Sequence, residues 1–338
     1  MDCLLVSALP NLFYLTGFTG SAGLLLVEER GATLYTDGRY TLQTAEEVKA
    51  ARVVVPRGGV LPAVLRRLHR SRSRRIGFES GSGYPLFARL ARELGWRRLR
   101  AVEDAVERMR LVKDEKEIAA IRCSVELTAQ ALAAVLPLVR PGARERDLAA
   151  ELEYRMRCLG AEKPAFDTIV ASGARTALPH ARASGRLLGK NEFVLFDVGA
   201  ILDGYSSDMT RTVHLGPAPK QARRLYSAVE EAQQQAREAV RAGVSCAEVD
   251  RAARGHLAAR GFGRYFTHST GHGLGIQVHE SPRLAAREKT RLPAGAVVTI
   301  EPGAYLPGVG GVRIEDVVVV RARGAEVLTP TARELLEL

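Results

Sequence analysis

The stretch that decides the fold reads FVLFDVGAILDGYSSDMT and covers residues 193–210. Asp197 comes directly after an apolar run, and Asp208 follows eleven residues later. Both carboxylates therefore end predicted strands that are buried. Because a buried, unpaired carboxylate costs several kcal/mol, each one requires a cation, a hydrogen-bond cage or a turn. A turn explains Asp203, which precedes Gly204, and would also explain Asp197 if it stood alone.

A second stretch, HSTGHGLGIQVHE, covers residues 268–280 and contains three histidines. Its glycines allow the backbone to approach a ligand closely, and the imidazoles of His272 and His279 can bind a metal or donate a proton. The spacing matches neither a zinc finger nor a His-Glu-x-x-His helix. Together with His180 and His268, four of the seven histidines flank the acidic segments, which argues against a purely structural role.

Two glutamates border apolar strands further along the chain. Glu301 follows residues 297–300, and Glu315 precedes residues 317–320. Glutamate is seldom buried without a partner. A set of donors dominated by carboxylates suits a pair of Mn, Co, Fe or Zn ions better than a single zinc ion. The candidate metal ligands are Asp197, Asp208, His272, Glu301 and Glu315.

Patterning along the chain predicts two domains. Short apolar strands alternate with helices up to about residue 102, which indicates an α/β domain, and we place its boundary at Arg108. Residues 109–338 contain long amphipathic helices and apolar strands, which predicts an α+β domain with a curved, mostly antiparallel sheet covered by helices on one face. The predicted helices are 41–50, 61–70, 113–139, 145–159, 220–242 and 246–259.

Composition excludes several other classes of protein. The net charge of +11 is concentrated in arginine-rich runs at 66–75 and 97–100, which lack the interleaved aromatic residues of a nucleic-acid surface. We interpret these runs as solvated faces. The four cysteines are far apart and predict neither a disulfide framework nor a zinc knuckle. No stretch approaches the length of a membrane span, so we expect no membrane contact and a cytoplasmic location.

The order of these motifs resembles the creatinase/methionine aminopeptidase-like metallopeptidases. The matching segments are 197–208, 271–280, 300–303 and 313–316. Near the start of the chain, NLFYLTGFTGS (11–21) and YTDGRY (35–40) look like the N-terminal domain of the proline-specific branch, the Xaa-Pro aminopeptidases and prolidases. The resemblance therefore covers nearly the whole chain.

The resemblance implies a creatinase-like N-terminal domain followed by a pita-bread catalytic domain with two divalent ions, Mn first, with Co, Zn or Fe as alternatives. Asp197 would bind one ion, and Asp208 and Glu315 would bridge both. His272 and Glu301 would complete the coordination shell of the other ion. Glu301 would also serve as the general base.

Further roles are implied by the same resemblance. His180 and His279 match histidines that contact the substrate and stabilise the tetrahedral intermediate. Arg313 matches an arginine that pairs with Asp197 and keeps it ionised. His268 would act either directly or in support of these groups.

The resemblance leaves the substrate open. We favour an aminopeptidase that removes Xaa from Xaa-Pro peptides, because the first domain resembles that group more fully. The alternative is a prolidase, in which Arg283 would bind the carboxylate of a dipeptide. A non-catalytic peptide-binding scaffold or a metal-free creatinase-like hydrolase would both have lost metal ligands that this chain retains. Proline-containing peptides and a second copy of the chain are the expected partners.

Overall fold

The computed structural model describes residues 1–71 and 74–338 and divides the chain into two compact units, Met1–Arg110 and Leu111–Leu338. The sequence places the boundary slightly earlier, at Arg108. Part of the arginine-rich run at 66–75, namely residues 72–73, lies outside the described residues.

The first unit is built on a six-stranded mixed sheet. Its strands are β1 (Cys3–Val6), β2 (Gly23–Glu28), β3 (Gly31–Thr36), β4 (Arg52–Val54), β5 (Ile76–Glu79) and β6 (Leu99–Val102), in the order β4-β3-β2-β1-β5-β6. Its helices are α1 (Leu9–Thr16), α2 (Thr41–Glu47), α3 (Val60–Arg70), α4 (Tyr84–Leu94) and α5 (Glu107–Arg110).

Both faces of this sheet are covered, because alternate residues of a strand point to opposite faces. In β1, Leu5 packs in one apolar cluster with residues of α3 and α4, whereas Val6 packs in another with Leu12 of α1. In β2, Leu26 and Leu25 divide in the same way. The alternation of strands and helices in the sequence thus correctly predicts an α/β unit.

The second unit contains four long helices and many short strands. The helices are α6 (Glu115–Val135), α7 (Glu145–Cys158), α8 (Lys220–Ala239) and α9 (Cys246–Ala259). The strands are β7 (Lys163–Pro164), β8 (Ile169–Ser172), β9 (Glu192–Val198), β10 (Ala200–Leu202), β11 (Tyr205–Ser206), β12 (Met209–Leu215), β13 (Gly271–Gly273), β14 (Glu280–Leu284), β15 (Val297–Ile300), β16 (Gly303–Leu306), β17 (Gly310–Arg313), β18 (Asp316–Arg321) and β19 (Gly324–Val327).

These strands form four antiparallel sheets rather than one continuous ladder. The strand orders are β11-β10-β7, β12-β9-β8, β14-β13-β15-β18-β19 and β16-β17. The expected antiparallel pairing is confirmed, but its continuity is not. The chain leaves the ladder after Ile300, where Pro302 cannot donate a backbone hydrogen bond, and again at Ile314 and Glu315. Candidate ligands lie at these breaks.

Local sequence signals fix the helix starts. The Asp114 side chain accepts hydrogen bonds from the backbone N–H groups of Lys116 and Glu117, and the Glu117 side chain accepts one from the backbone N–H of Asp114, which forms a capping box at the start of α6. Ser245 and Glu248 form the same motif at the start of α9. Each cap is a charged or polar residue that precedes apolar residues at the spacing of a helix.

Among the described residues, one helix is long and apolar enough by length and composition to cross a membrane. It runs from Glu115 to Leu138, contrary to the sequence expectation, and 56% of its most apolar window is buried inside the protein. Ile118, Ile121 and Val125 pack in one cluster with strand residues. The apolar composition of α6 therefore matches its position in the core.

Replacing Leu132 with alanine is expected to destabilise the second unit strongly. Leu132 is 1% exposed in the core cluster of α6 and α7, so a cavity should cost about 2–5 kcal/mol. Leu42→Ala, at a site 81% exposed, should change the free energy of unfolding by less than about 0.5 kcal/mol. Urea unfolding measures both, and equal effects would contradict this core assignment.

Candidate metal centre

Adjacent strands bring the two aspartates together. Asp197 lies near the end of β9, opposite Thr210 of β12, and Asp208 directly precedes β12. The connection turns at Asp203, which has a φ of 50°, as expected for a turn residue. Both carboxylates thus lie at the same end of the β9–β12 pair.

Strand pairing also brings together the two glutamates. The last pair of the β15–β18 ladder is Ile300 opposite Asp316, so Glu301 and Glu315 each lie one residue beyond it. The backbone N–H of Glu315 donates to the carbonyl of Thr210, at 3.1 Å, which joins this end of the ladder to β12. The two halves of the ligand set therefore converge at one place.

His272 of β13 completes this group. Its Nε2 lies 3.5 Å from Asp208 Oδ2 and 3.5 Å from Glu301 Oε1. Ligand atoms of Asp208, His272 and Glu315 lie within 4.8 Å of one another, and all three residues are buried. The five predicted ligands are thus grouped, although their individual roles remain predictions.

The donor chemistry fits a divalent cation. Within the described part of the chain, three buried carboxylate oxygens have no hydrogen-bond partner: Asp197 Oδ1, Asp208 Oδ1 and Glu315 Oε1. Burial, together with neighbouring carboxylates, raises the pKa of Asp208 and Glu315 well above the ordinary range, and burial raises the pKa of Glu301 to about 8. Crowded acids with unpartnered oxygens are expected where cations bind.

The imidazole of His272 is prepared to act as a neutral nitrogen ligand. Its Nδ1 lies 3.0 Å from the carbonyl oxygen of Gly273, so Nδ1–H donates and Nε2 keeps a lone pair that faces the carboxylates. Burial, then the positive charge of His279, lowers the pKa of His272 to about 4. The ring therefore stays uncharged at neutral pH.

Two of the carboxylates are oriented by polar neighbours. Arg313 Nη2 donates to Asp197 Oδ2 at 2.5 Å, in the pairing that the resemblance implies. Thr210 Oγ1 donates to Glu315 Oε2 at 2.7 Å and accepts from Arg313 Nε at 3.1 Å. Sequence analysis missed Thr210, because a threonine within an apolar strand gives no separate signal.

Sequence analysis also missed Tyr305, which lies in β16. Its hydroxyl donates to His268 Nε2 at 2.8 Å and accepts from Arg313 Nη1 at 2.8 Å. Burial lowers the pKa of His268 to about 4, and its Nδ1–H donates to the carbonyl oxygen of Ser269 at 2.7 Å, so Nε2 is the acceptor. His268 thus supports Arg313 through the tyrosine. Tyr305 gives no separate signal in the sequence, because its contact with Arg313 arises only when β16 pairs with β17.

The predicted substrate-contacting residues surround this group. The rings of His279 and His272 have centroids 4.3 Å apart. Burial lowers the pKa of His279, the nearby carboxylate of Asp197 opposes that shift, and the exposed His180 has a smaller lowering effect. Arg283 is exposed and lies opposite His272 in the β13–β14 pair. These side chains form an exposed rim over the buried acids.

The backbone approaches itself very closely at Gly271. A Cβ atom built there would lie 1.9 Å from the carbonyl oxygen of Thr299. The same strand carries His272, whose N–H bonds to the Thr299 hydroxyl. Glycine at this position is therefore required to hold the histidine against β15.

The second unit contains a buried carboxylate-histidine group with the donor chemistry of a divalent-metal site, which indicates a two-domain metalloprotein. The sequence matches the models of metallopeptidase family M24 at residues 119–322 and of the creatinase/prolidase N-terminal domain at residues 1–112. The chain belongs to metallopeptidase family M24 and is a hydrolase of that family.

Similar proteins extend over the full length of the chain. An Xaa-Pro dipeptidase of Pyrococcus horikoshii is 38% identical over 99% of this chain and 95% of the relative. The structure of an Xaa-Pro dipeptidase from Bacillus anthracis has a TM-score of 0.97 at 36% identity, covering 100% and 95% of the two chains. An X-Pro aminopeptidase structure from Thermotoga maritima has a TM-score of 0.94 at 37% identity, covering 100% and 98%.

Mn²⁺ is expected to stabilise the metal-free protein against unfolding. At a free concentration about 100-fold above Kd, one bound ion adds about 2.7 kcal/mol to the free energy of unfolding. Asp208→Asn removes one charged donor and should abolish most of the shift in Tm. Asp203→Asn, at a turn that asparagine also adopts, should keep the full shift. An unchanged shift in Asp208→Asn would remove Asp208 from the ligand set.

The metal-free protein should lose stability between about pH 6.5 and pH 8. The raised pKa of Glu301, about 8, means that the folded state holds a proton that the unfolded state has released, so stability falls as pH rises. The lowered pKa values of His268 and His272 make stability rise with pH instead, but only below about pH 6.5.

Chemical unfolding across this pH window measures the effect, and Glu301→Gln should reduce the slope, while the raised pKa values of Asp208 and Glu315 keep its sign. A wild-type stability that rises from pH 6.5 to pH 8 would contradict the assigned environment of Glu301.

Proposed function

We propose that this protein hydrolyses the peptide bond before proline and that Xaa-Pro dipeptides are its preferred substrates. The observation that carries the proposal is the convergence of four carboxylates and one imidazole under a rim that contains Arg283. Full-length similarity to proteins named Xaa-Pro dipeptidases supports this substrate class.

We further propose two divalent ions, with Mn²⁺ as the physiological metal. The ligands would be Asp197, Asp208, His272, Glu301 and Glu315. Ions held there would supply Lewis-acid polarisation of the scissile carbonyl and activation of water. The four clustered carboxylates support a pair of ions, because carboxylates can bridge two metals and two divalent cations balance four negative charges.

Side chains of this protein transfer the proton and orient the substrate and the ligands. Glu301, itself one of the proposed ligands, takes a proton from the attacking water and delivers it to the proline nitrogen as that nitrogen leaves. His279 and His180, on the exposed rim, donate hydrogen bonds to the substrate carbonyl as negative charge develops. Arg313 holds Asp197 in place through the bond described above.

Arg283 provides the preference for dipeptides. Its positive charge is close enough to His272 to lower the pKa of that imidazole, in addition to the larger effects of burial and of His279. An exposed guanidinium opposite the proposed ligand His272 can bind the terminal carboxylate of a dipeptide in a bidentate manner. A longer peptide places a neutral amide there and forfeits this interaction.

A second candidate is an aminopeptidase that acts on longer Xaa-Pro peptides, as the sequence analysis favours. Similarity to the Thermotoga maritima X-Pro aminopeptidase supports it. The homodimer and the cytoplasmic location stay predictions from the sequence, and size-exclusion chromatography with light scattering tests the former.

Dipeptide preference should depend on Arg283. Metal-stripped protein restored with Mn²⁺ should cleave an Xaa-Pro dipeptide with a higher kcat/KM than the matched Xaa-Pro-Yaa tripeptide. Arg283→Ala should lower kcat/KM for the dipeptide about 10- to 100-fold, the loss of a charge-assisted pair, and should leave the tripeptide largely unaffected.

Arg287→Ala, a few residues along the same segment, is the matched control and should leave the ratio of the two kcat/KM values unchanged. Equal or faster cleavage of the tripeptide by the wild type would favour the aminopeptidase. Cleavage of neither peptide with any divalent metal would overturn the proposed function.

A further inference from the structure

Glu145, at the start of α7, is a fully buried carboxylate that the proposed chemistry does not use. Its side chain is 0% exposed. Oε1 accepts from the backbone N–H and the hydroxyl of Ser172, both at 2.8 Å. Oε2 accepts from the backbone N–H of Ser184 at 3.1 Å and from its hydroxyl at 2.6 Å. Arg175 Nε donates to the same carboxylate at 3.1 Å.

These partners lie at the two ends of one segment. Residues 172–184 connect the end of β8 to the stretch that precedes β9, and His180 lies within them. The carboxylate of Glu145 therefore binds the start of the segment with one oxygen and the end with the other. Arg175 also donates to the carbonyl of Arg182 at 2.6 Å, which closes the segment around His180.

The middle of this segment contacts the metal centre. The Thr176 hydroxyl accepts from the backbone N–H of Gly311 at 2.7 Å, in the hairpin that carries Arg313. Arg313 Nη1 donates to the carbonyl of Pro179, the residue before His180, at 3.2 Å. The placement of His180 relative to Asp197 thus depends on a segment fixed at both ends and at its centre.

We propose that Glu145 is a positioning residue, which holds residues 172–184 so that His180 meets the substrate. A buried carboxylate is retained at such a site only with full hydrogen bonding, which here comes almost entirely from that one segment. The proposal deepens the proposed function and depends on the role of His180 in it. No contact with substrate or metal is assigned to Glu145.

A double-mutant cycle tests the proposal by Xaa-Pro dipeptide hydrolysis with saturating Mn²⁺. Glu145→Gln removes the negative charge, and its amide NH2 group faces N–H donors that cannot accept a hydrogen bond from it. We expect kcat/KM to fall about 10- to 100-fold, as for a displaced reacting group. In the His180→Ala background the same change should have little further effect, because the positioned group is gone. Additive losses in the double variant would overturn the proposal.

Readouts independent of activity separate this proposal from the proposed function. Hydrogen exchange should accelerate in residues 173–184 of Glu145→Gln, while the Mn²⁺-induced shift in Tm stays unchanged. Unaltered exchange in that segment would overturn the proposal even if activity fell. If wild type is inactive towards both peptides, the proposed function fails, whereas the exchange result still decides whether Glu145 fixes the segment.

Glu79→Gln is the matched control. Glu79 is a buried carboxylate of the first unit that accepts from the backbone N–H groups of Ser7 and Ala8 and from the Asn11 amide. Its loss should lower stability without accelerating exchange in 173–184. Accelerated exchange there in both variants would mark a general effect of destabilisation and would overturn the specific role of Glu145.

Discussion

Mutual repulsion among four clustered carboxylates, all largely shielded from solvent, is the constraint on which the catalytic unit depends. Asp197, Asp208, Glu301 and Glu315 are brought together by the ends of separate strand pairs. Burial, with the neighbouring carboxylates, raises the pKa of Asp208, Glu301 and Glu315 and so favours their protonated forms when no cation is bound. Cations remove this cost, so the ligand group couples metal binding to the stability of the fold. Arg313 supplies permanent positive charge at one side of the group.

The surrounding structure limits how these groups can move. Gly271 allows β13 to contact β15, the Gly273 carbonyl selects the tautomer of His272, and Thr210 orients Glu315. Tyr305 links His268 to Arg313. Each of these contacts is a hydrogen bond or a close approach that involves at least one strand residue, and strands position side chains more rigidly than loops do. The rim residues His180, His279 and Arg283, by contrast, remain exposed to an incoming peptide.

Much of this arrangement could be predicted from the sequence, because buried strands that end in acids leave a strong signal. The pattern after residues 193–196 and 297–300 identified Asp197 and Glu301, and the glycine-rich stretch identified His272. Helices α7 and α9 begin at the predicted residues, since charged and capping residues mark them. The division of the strands into four sheets escaped prediction, because sheet continuity depends on pairings between residues far apart in the chain.

Residues that act through other residues were also missed. Thr210, Tyr305 and Glu145 look like ordinary strand or helix positions, and their roles arise only when distant segments meet.

A Mn²⁺-soaked crystal measured for anomalous scattering would test the central claim most directly. The account predicts two anomalous peaks among Asp197, Asp208, His272, Glu301 and Glu315. No peak there, or Mn²⁺ bound only at other residues, would contradict it.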